Sequence, residues 1–345
     1  MKIVLITGGP SAEREVSIAS SRSILKALRD LGHSVKVIDP IYGDEEVNEE
    51  FIFKSEIKKE SPSLEKLNEI KNSNRNILKC INSGLFDNID LAFLGVHGKF
   101  GEDGRIQTLL ELRGINYTGS DVFSSALSMD KNISKIILNS IGIKTPDWLI
   151  LQKNCHPNYE EINRSILDSF GYPCVVKPND EGSTVGLSIV KPDVEDVQLQ
   201  NAIELAFNYS DTILIEQFVN GRELTVPIIG DEVFPVIEIR PKNGFYDYEH
   251  KYTKGMTEYF CPAEISKEIE QKAKENSLNA HKAIGCSVYS RIDFILDDKN
   301  DLYCLEVNTL PGMTETSLVP KSAAAKGMSF EQLIKKLIEL SLKKN

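Results

Sequence analysis

Asp293, Glu306 and Asn308 are the residues whose types and spacing point most directly to chemistry, and Arg291 stands two residues before the first of them. All four fall in RIDFILDDKNDLYCLEVN, residues 291–308, which reads as two apolar strands joined by a polar Asp-Asp-Lys-Asn turn. Asp293 lies near the start of the first strand, while Glu306 and Asn308 close the second. Antiparallel pairing would bring the three oxygen-bearing side chains to one end, and residues two apart on a strand share a face. A small set of hard oxygen ligands, completed by water and phosphate, suits Mg²⁺. Arg291 would add a fixed cation beside it. The competing reading is a solvated hairpin with charged ends, and this segment alone leaves both open.

Other segments have chemistry to add. EGSTVG, residues 181–186, follows Lys177 on an expected strand. Its small residues let backbone approach an anion, and Ser183 and Thr184 add hydroxyl donors. It is not GxxxxGK[ST], so the P-loop class is excluded; a plain hairpin tip is the alternative. Lys131 sits in a helical stretch, where a solvated face is the simpler reading. IEQFVNGREL, residues 215–224, sets Glu216 and Glu223 around a Gly turn. Such carboxylates accept bonds from an amino group or a ribose hydroxyl, or else form salt bridges.

FYDYEHKYTKGMTEYF, residues 245–260, is rich in aromatics and carries two lysines near a central Gly. It reads either as an edge strand with a loop, or as a lid that excludes water and brings Lys251 to a phosphate. GGPSAEREVS puts Glu13 and Glu15 at a strand-to-helix turn, where one can cap the helix and the other hold an ammonium group. HGKFGEDG, residues 97–104, is a Gly-spaced loop after a buried strand, a common place for ligand contacts in α/β sheets. His33, His156 and His281 read as surface histidines, and His250 lacks ligand spacing.

These residues need a scaffold. KIVLIT, a GGP turn, a helix from Ser11 as its candidate cap to a stop at Gly32, and SVKVID form a βαβ opening, the unit of a parallel sheet. No GxGxxG follows the first strand, which argues against a nicotinamide dehydrogenase. Residues 43–80 form a polar insertion with room for one helix over 65–80. IDLAFLGVHG resumes as a buried strand, a short helix ends at Gly114, and the first domain closes at residue 119. A central unit follows over 120–214, with VVKPNDEGSTVG as a hairpin with a long tip. Residues 215–345 form a third unit, in which ILIEQFV, ELTVPIIG and EVFPVIEIRP read as successive strands of a largely antiparallel sheet. A long helix ends at Gly285, and Ser329 with Gln332 forms a capping box for the last helix.

The composition suits this plan. With 345 residues, 41% hydrophobic and 26% charged, the chain can bury substantial cores over two or three domains. A net charge of −11 gives no overall attraction for nucleic acid or an anionic membrane. The N-terminal apolar run is too short and wrongly flanked for a signal peptide, and no run reaches the length of a membrane span. The six scattered cysteines lack a CxxC pair and read as reduced thiols of a cytoplasmic protein rather than a zinc site.

GGPSAEREVS, HGKFGEDG, YTGS, MDK, VVKPNDEGSTVG, IEQFVNGRELTV, FYDYEHKY, RIDF and LEVNTLPGMTETSLVP, in this order, resemble the D-alanine–D-alanine ligases of the ATP-grasp superfamily. The resemblance covers nearly the whole chain except the polar insertion. It implies an ATP-grasp fold of mixed α/β and α+β character: a Rossmann-like parallel N-terminal domain, a small central subdomain and a largely antiparallel C-terminal domain. It implies a cytoplasmic enzyme of peptidoglycan synthesis, acting as a homodimer, that joins two D-alanines with ATP and two Mg²⁺ ions, Mn²⁺ being an alternative. Neither nucleic acid nor membrane is an expected partner.

Residue by residue, the resemblance puts Lys131 and Lys177 on the nucleotide phosphates, Ser183 and Thr184 in the loop above them, and Lys251 on the γ-phosphate. Glu216, with backbone of Gln217 and Val219, would read adenine, and Glu223 the ribose. Asp293, Glu306 and Asn308 would hold the metals, with Glu306 bridging. Glu13 would take the ammonium of the first D-alanine, bonded with Ser183 and Tyr252, with His97 close to the same subsite. Arg291 and the Gly312 N–H would stabilise the oxyanion, and Ser317 and Leu318 would place the second D-alanine. The family often has His where this chain has Thr316. Ligases making D-alanyl-D-lactate or D-alanyl-D-serine are the nearest alternatives. In the family Tyr at position 252 goes with dipeptide synthesis and Phe with the lactate ester. A non-catalytic ATP-binding protein is the alternative of another class, and the full set of lysines, metal ligands and Arg291 speaks against it.

Overall fold

A computed structural model describes residues 1–54, 65, 73–155, 158–191, 196–242, 255–314 and 316–344. Three sheets organise it. The first is parallel, with β1 (Lys2–Ile6) between β2 (Ser34–Ile38) and β3 (Leu91–Leu94). β1 is buried from Ile3 to Ile6, as expected for a strand covered on both faces. Helix α1 (Arg14–Asp30) makes the crossover and buries Ile18, Ile24 and Leu28. It starts later than the sequence suggests. Ser11 does not cap it; its hydroxyl donates to the His97 carbonyl at 2.6 Å and accepts from the Glu13 N–H at 3.2 Å. Glu13 takes the cap position instead, with no side-chain capping bond. In the polar insertion a single helical turn (Glu49–Ile52) and α2 (Asn74–Asn82) are described. Residues 66–72 of the helix expected over 65–80 lie outside the described residues.

Short helices α3 (Arg105–Leu112), α4 (Val122–Met129) and α5 (Lys131–Ser140) lead to the central sheet. Its strands are β4 (Trp148–Gln152), β5 (Cys174–Pro178), β6 (Ser188–Val190) and β7 (Thr212–Gln217), antiparallel in the order β4-β7-β5-β6. Helices α6 (Tyr159–Ser169) and α7 (Asp196–Phe207) cover one face through Ile162, Ile166 and Ile203. The cut expected between 214 and 215 falls inside β7, and ILIEQ does not join the large sheet. Its Ile213, Leu214 and Ile215 pair with β5 and β4 instead.

The third sheet runs β11-β10-β8-β12-β13 with β9 on β8. Its strands are β8 (Arg222–Ile229), β9 (Glu232–Val233), β10 (Ile237–Pro241), β11 (Thr257–Phe260), β12 (Tyr289–Leu296) and β13 (Leu302–Asn308). One face is apolar: Leu224, Val226, Ile292, Phe294, Cys304 and Val307 pack with Ala273, Ala280 and Ile284 of α8 (Lys267–Ile284). Ser266 caps α8 by accepting from the Ile269 N–H, and Gly285, at φ +82°, ends it in the left-handed region that glycine tolerates. The opposite face carries Glu223, Thr225, Arg291, Asp293, Glu306 and Asn308. Helices α9 (Leu318–Ala325) and α10 (Phe330–Ser341) close the chain, α10 with the expected Ser329/Gln332 capping box.

His281 is not at the surface: it is 3% exposed and shares a 2.7 Å hydrogen bond with the Ser290 hydroxyl. It lies on the sheet-facing side of α8, and burial pulls its pKa down to about 4. Below its ordinary value near 6.5 the unfolded chain takes up a proton that the folded chain refuses, so stability falls as pH drops from there toward 4. At 1.36 kcal/mol per pKa unit the full loss is about 3 kcal/mol. A His281→Gln variant lacks this proton uptake. Its thermal midpoint, lower than the parent's at pH 7, should draw level with or pass the parent's near pH 4.5; a constant gap would refute the assignment.

Candidate active site

β12 and β13 place Asp293 directly opposite Glu306 and Arg291 directly opposite Asn308. Directly opposed residues share a face, so the four side chains form one block. A break in the ladder after Asp293 skips Leu305. Without that bulge, Glu306 and Asn308 would follow Leu302 and Cys304 into the apolar face; the extra residue changes the phase of the strand and turns them outward. Arg291 grips Asp293 through Nε at 2.9 Å and Nη2 at 2.7 Å. Thr225, paired with Asp293 across β8, donates to its Oδ1 at 2.5 Å. Asn308 Nδ2 lies 3.0 Å from Asp293 Oδ2 and 3.4 Å from Glu306 Oε1. Exchanging the amide N and O of Asn308 would turn its oxygen to the same point. Among the described residues no group of three His, Cys, Asp or Glu could hold a metal. The donor set is therefore two carboxylates and a carboxamide, which fits a hard divalent cation that also takes water and phosphate oxygens.

The block faces a cleft of about 590 Å³, and every sequence-predicted site residue that is described lines it. Lys131 opens α5 behind the Asp130 cap, is 8% exposed and donates to the Glu181 carbonyl at 2.5 Å. Burial lowers its pKa. Lys177 on β5 reaches diagonally across the ladder to Glu216 on β7 and forms an ion pair with its Oε1. Lys135 donates to Glu216 Oε2 at 3.0 Å. Burial opposes charge on Glu216, but the two lysines outweigh it and hold the carboxyl below its ordinary pKa. Gln217 and Val219 line the cleft at the end of β7, though the Gln217 N–H is already given to the Asp147 carbonyl at 2.8 Å. Glu223 lies two residues from Thr225 on the same face of β8.

At the other end of the cleft, Ser183 donates to Glu13 Oε1, which brings the loop after β5 onto the N-terminus of α1. Ser183 and Thr184 have φ of +48° and +59°, a strained pair for residues with side chains. Lys99 fastens the same loop, with Nζ 2.7 Å from the Tyr209 carbonyl and 3.0 Å from Glu181. His97 is buried, 3.1 Å from the Leu310 carbonyl, 3.0 Å from the Ser20 hydroxyl and 3.4 Å from Glu102. Burial works against its charged form, but Glu102 outweighs that and raises the pKa. The Ser317 hydroxyl accepts from the Thr314 N–H at 3.0 Å, just before Leu318 opens α9. Gly312 lies beside it, close enough that a Cβ there would come within 3.3 Å of Ser317 Oγ. Thr316 turns its hydroxyl to Thr314 at 3.3 Å. Lys251 and Tyr252 lie outside the described residues.

Two family models match the chain: D-ala D-ala ligase N-terminus over residues 2–120 and D-ala D-ala ligase C-terminus over residues 137–339. The chain belongs to the D-alanine–D-alanine ligase family. A D-alanine--D-alanine ligase of Halalkalibacterium halodurans is 41% identical, the match spanning 100% of both chains. The crystal structure of a D-alanine--D-alanine ligase from Bacillus anthracis complexed with ATP superposes with a TM-score of 0.72 at 33% identity, over 100% of this chain and 98% of that one. The VanG D-Ala:D-Ser ligase from Enterococcus faecalis reaches a TM-score of 0.77 at 31% identity over 99% of each. The fold is thus the expected ATP-grasp architecture of that family.

Four residues of the site escape a motif reading. Lys135 repeats Lys131 at i,i+4, a spacing that puts both on one helix face. Thr225 follows from alternation with Glu223. Lys99 and Glu102 lie inside HGKFGEDG; Glu102 meets His97 within that segment, whereas the partners of Lys99, namely Asp180, Glu181 and the Tyr209 carbonyl, are set only by the fold.

Proposed function

We propose that this protein is an ATP-dependent ligase that joins two D-alanines into D-alanyl-D-alanine, for peptidoglycan precursor synthesis in the cytoplasm. The observation that carries the reading is the block of Arg291, Asp293, Glu306 and Asn308 facing one cleft with Lys131 and Lys177, in a chain of this family. The γ-phosphoryl group of ATP passes to a carboxylate oxygen of the first D-alanine, and ADP leaves. The amine of the second D-alanine attacks the acyl carbon and loses a proton; the tetrahedral adduct then expels phosphate.

Lys131 and Lys177 neutralise nucleotide phosphates, and Glu216 and Glu223 take the adenine amino group and a ribose hydroxyl. Glu13, steadied by Ser183, takes the first ammonium group. Arg291 and the Gly312 N–H face the developing oxyanion, and Ser317 and Leu318 seat the second amino acid. Asp293, Glu306 and Asn308 would hold Mg²⁺, which when bound neutralises charge on the phosphate oxygens. In this reading the protein works mainly by positioning and charge neutralisation. Lys251 and Tyr252 complete the assignment from the family pattern, Tyr252 favouring an amine over D-lactate. A homodimer fits the exposed Leu112 and Phe123 on the neighbouring helices α3 and α4.

The purified protein, with ATP and Mg²⁺, should release ADP with D-alanine and not with L-alanine, and should form dipeptide in preference to products from D-serine or D-lactate. Preferential mixed product would move the assignment to that ligase type; ADP release with no amino-acid dependence would reject it.

Gly182 tests the amino-acid end. A Cβ there would lie 2.5 Å from Glu13 Oε2. The carboxylate is the end of a side chain and gives way, so Gly182→Ala should fold but move Glu13. The KM for D-alanine should rise about tenfold to a hundredfold, the scale of a small misplacement at a reacting site, with the thermal midpoint nearly unchanged. Unaltered D-alanine kinetics would detach Glu13 from substrate binding.

A further inference from the structure

Lys135 does not line the cleft, although Lys177 and Glu216 do. Its side chain is 1% exposed, and its ammonium lies 3.0 Å from Glu216 Oε2 and 5.1 Å from the centroid of the Trp148 ring. That ring is fixed by its own N–H to Asn132 Oδ1 at 2.9 Å, and Trp148 stands directly opposite Glu216 in the β4/β7 ladder. Glu216 thus has one cation on each oxygen: Lys135, enclosed, on Oε2, and Lys177, facing the cleft, on Oε1. A buried carboxylate stripped of its cations is strongly destabilised. In the ATP-dependent reading Lys177 turns from Oε1 of Glu216 to a phosphate, and the adenine amino group takes an oxygen of that same carboxylate.

We propose that Lys135 is the fixed counter-ion of Glu216, a positioning residue that lets Lys177 pass to the nucleotide phosphates while Oε1 passes to the adenine amino group. This rests on the ATP-dependent reading above. Lys135 keeps Glu216 ionised and aimed throughout the exchange, so neither partner of the nucleotide is bought at the cost of a lone buried charge. Without Lys135, Glu216 would hold Lys177 and withhold it from phosphate.

The test compares wild type, Lys135→Met, Glu216→Gln and the double variant. In Lys135→Met the KM for ATP should rise about thirtyfold while kcat at saturating ATP falls less than about threefold. Adding Glu216→Gln to that background removes the charge that traps Lys177, so KM should fall back about tenfold, whereas the same change alone should raise KM; this sign reversal is a coupling a structural strut would not show. Trp148 is the single tryptophan, so its emission, titrated with a non-hydrolysable ATP analogue and Mg²⁺, reads the same order of affinities without turnover. An unchanged KM in Lys135→Met, or an equal rise in the single and double variants, overturns the proposal. If Lys135→Met alone fails to fold, a folded double variant whose affinity matches that of Glu216→Gln alone supports it, and a double variant that is unfolded, or about thirtyfold weaker than Glu216→Gln alone, overturns it. Wild type that binds the analogue but does not ligate D-alanine would sink the functional reading and leave this comparison intact.

Discussion

Arg291→Ala should lower ligation at saturating substrates by about 10²–10³, the cost of removing one preorganised donor from a developing oxyanion. The KM for ATP should move less than about tenfold, because the loss falls on the transition state rather than on nucleotide binding. The geometry makes the effect specific. Arg291 is held by a two-point contact to Asp293 and directed over the face that carries Glu306 and Asn308. Its guanidinium therefore has one orientation, and nothing else on β12 supplies a cation to that point. Arg291→Lys keeps the charge but loses the planar fork, so it should recover only part of the rate. Steady-state ADP release with D-alanine checks both variants. A rate near that of wild type in Arg291→Ala would remove Arg291 from the chemistry.

Glu306→Gln should be at least as damaging, by a different route. Glu306 faces the cleft only because the bulge at Leu305 turns it there, and it shares that face with Asp293 and Asn308. The substitution keeps shape and hydrogen bonding but removes one of two carboxylates from the donor set. The several kcal/mol of charge stabilisation expected from a bound divalent ion correspond to a rate loss of about 10³ at 1.36 kcal/mol per tenfold. The Mg²⁺ concentration giving half-maximal activity should rise together with this loss, and the thermal midpoint of the metal-free protein should hardly change. Calorimetric titration with Mg²⁺ in the presence of nucleotide measures the first; a rate loss with unchanged Mg²⁺ dependence would contradict the placement.

Much of this was readable from residues, because the strongest signals are local. The Asp-Asp-Lys-Asn turn, the alternation on β12 and the two-residue spacing of Glu306 and Asn308 together give the carboxylate block. A capping pair such as Ser329 with Gln332 identifies itself within one helical turn. The failures share one cause, which is tertiary context overriding a local pattern. Alternation along LYCLEVN predicts one face for Leu302, Cys304, Glu306 and Asn308; only the ladder with β12 shows the phase change at Leu305. Ser11 has the right type for a cap, but its hydroxyl is used by the His97 carbonyl on a loop far along the chain. ILIEQ is a strand by composition, and which sheet it joins depends on β4 and β5 rather than on its own residues. His281 looks polar and external, yet Ser290 and the sheet bury it. Lys135 is invisible as a functional residue until Glu216 is seen to carry two lysines.

In the proposed reaction this cleft hands a phosphoryl group to an amino-acid carboxylate. D-alanine carrying isotopically heavy oxygen in its carboxyl group, incubated with the protein, ATP and Mg²⁺, tests it by mass analysis of the phosphate released. Each phosphate formed with dipeptide should carry one heavy oxygen. Phosphate free of the label, alongside dipeptide, would contradict it.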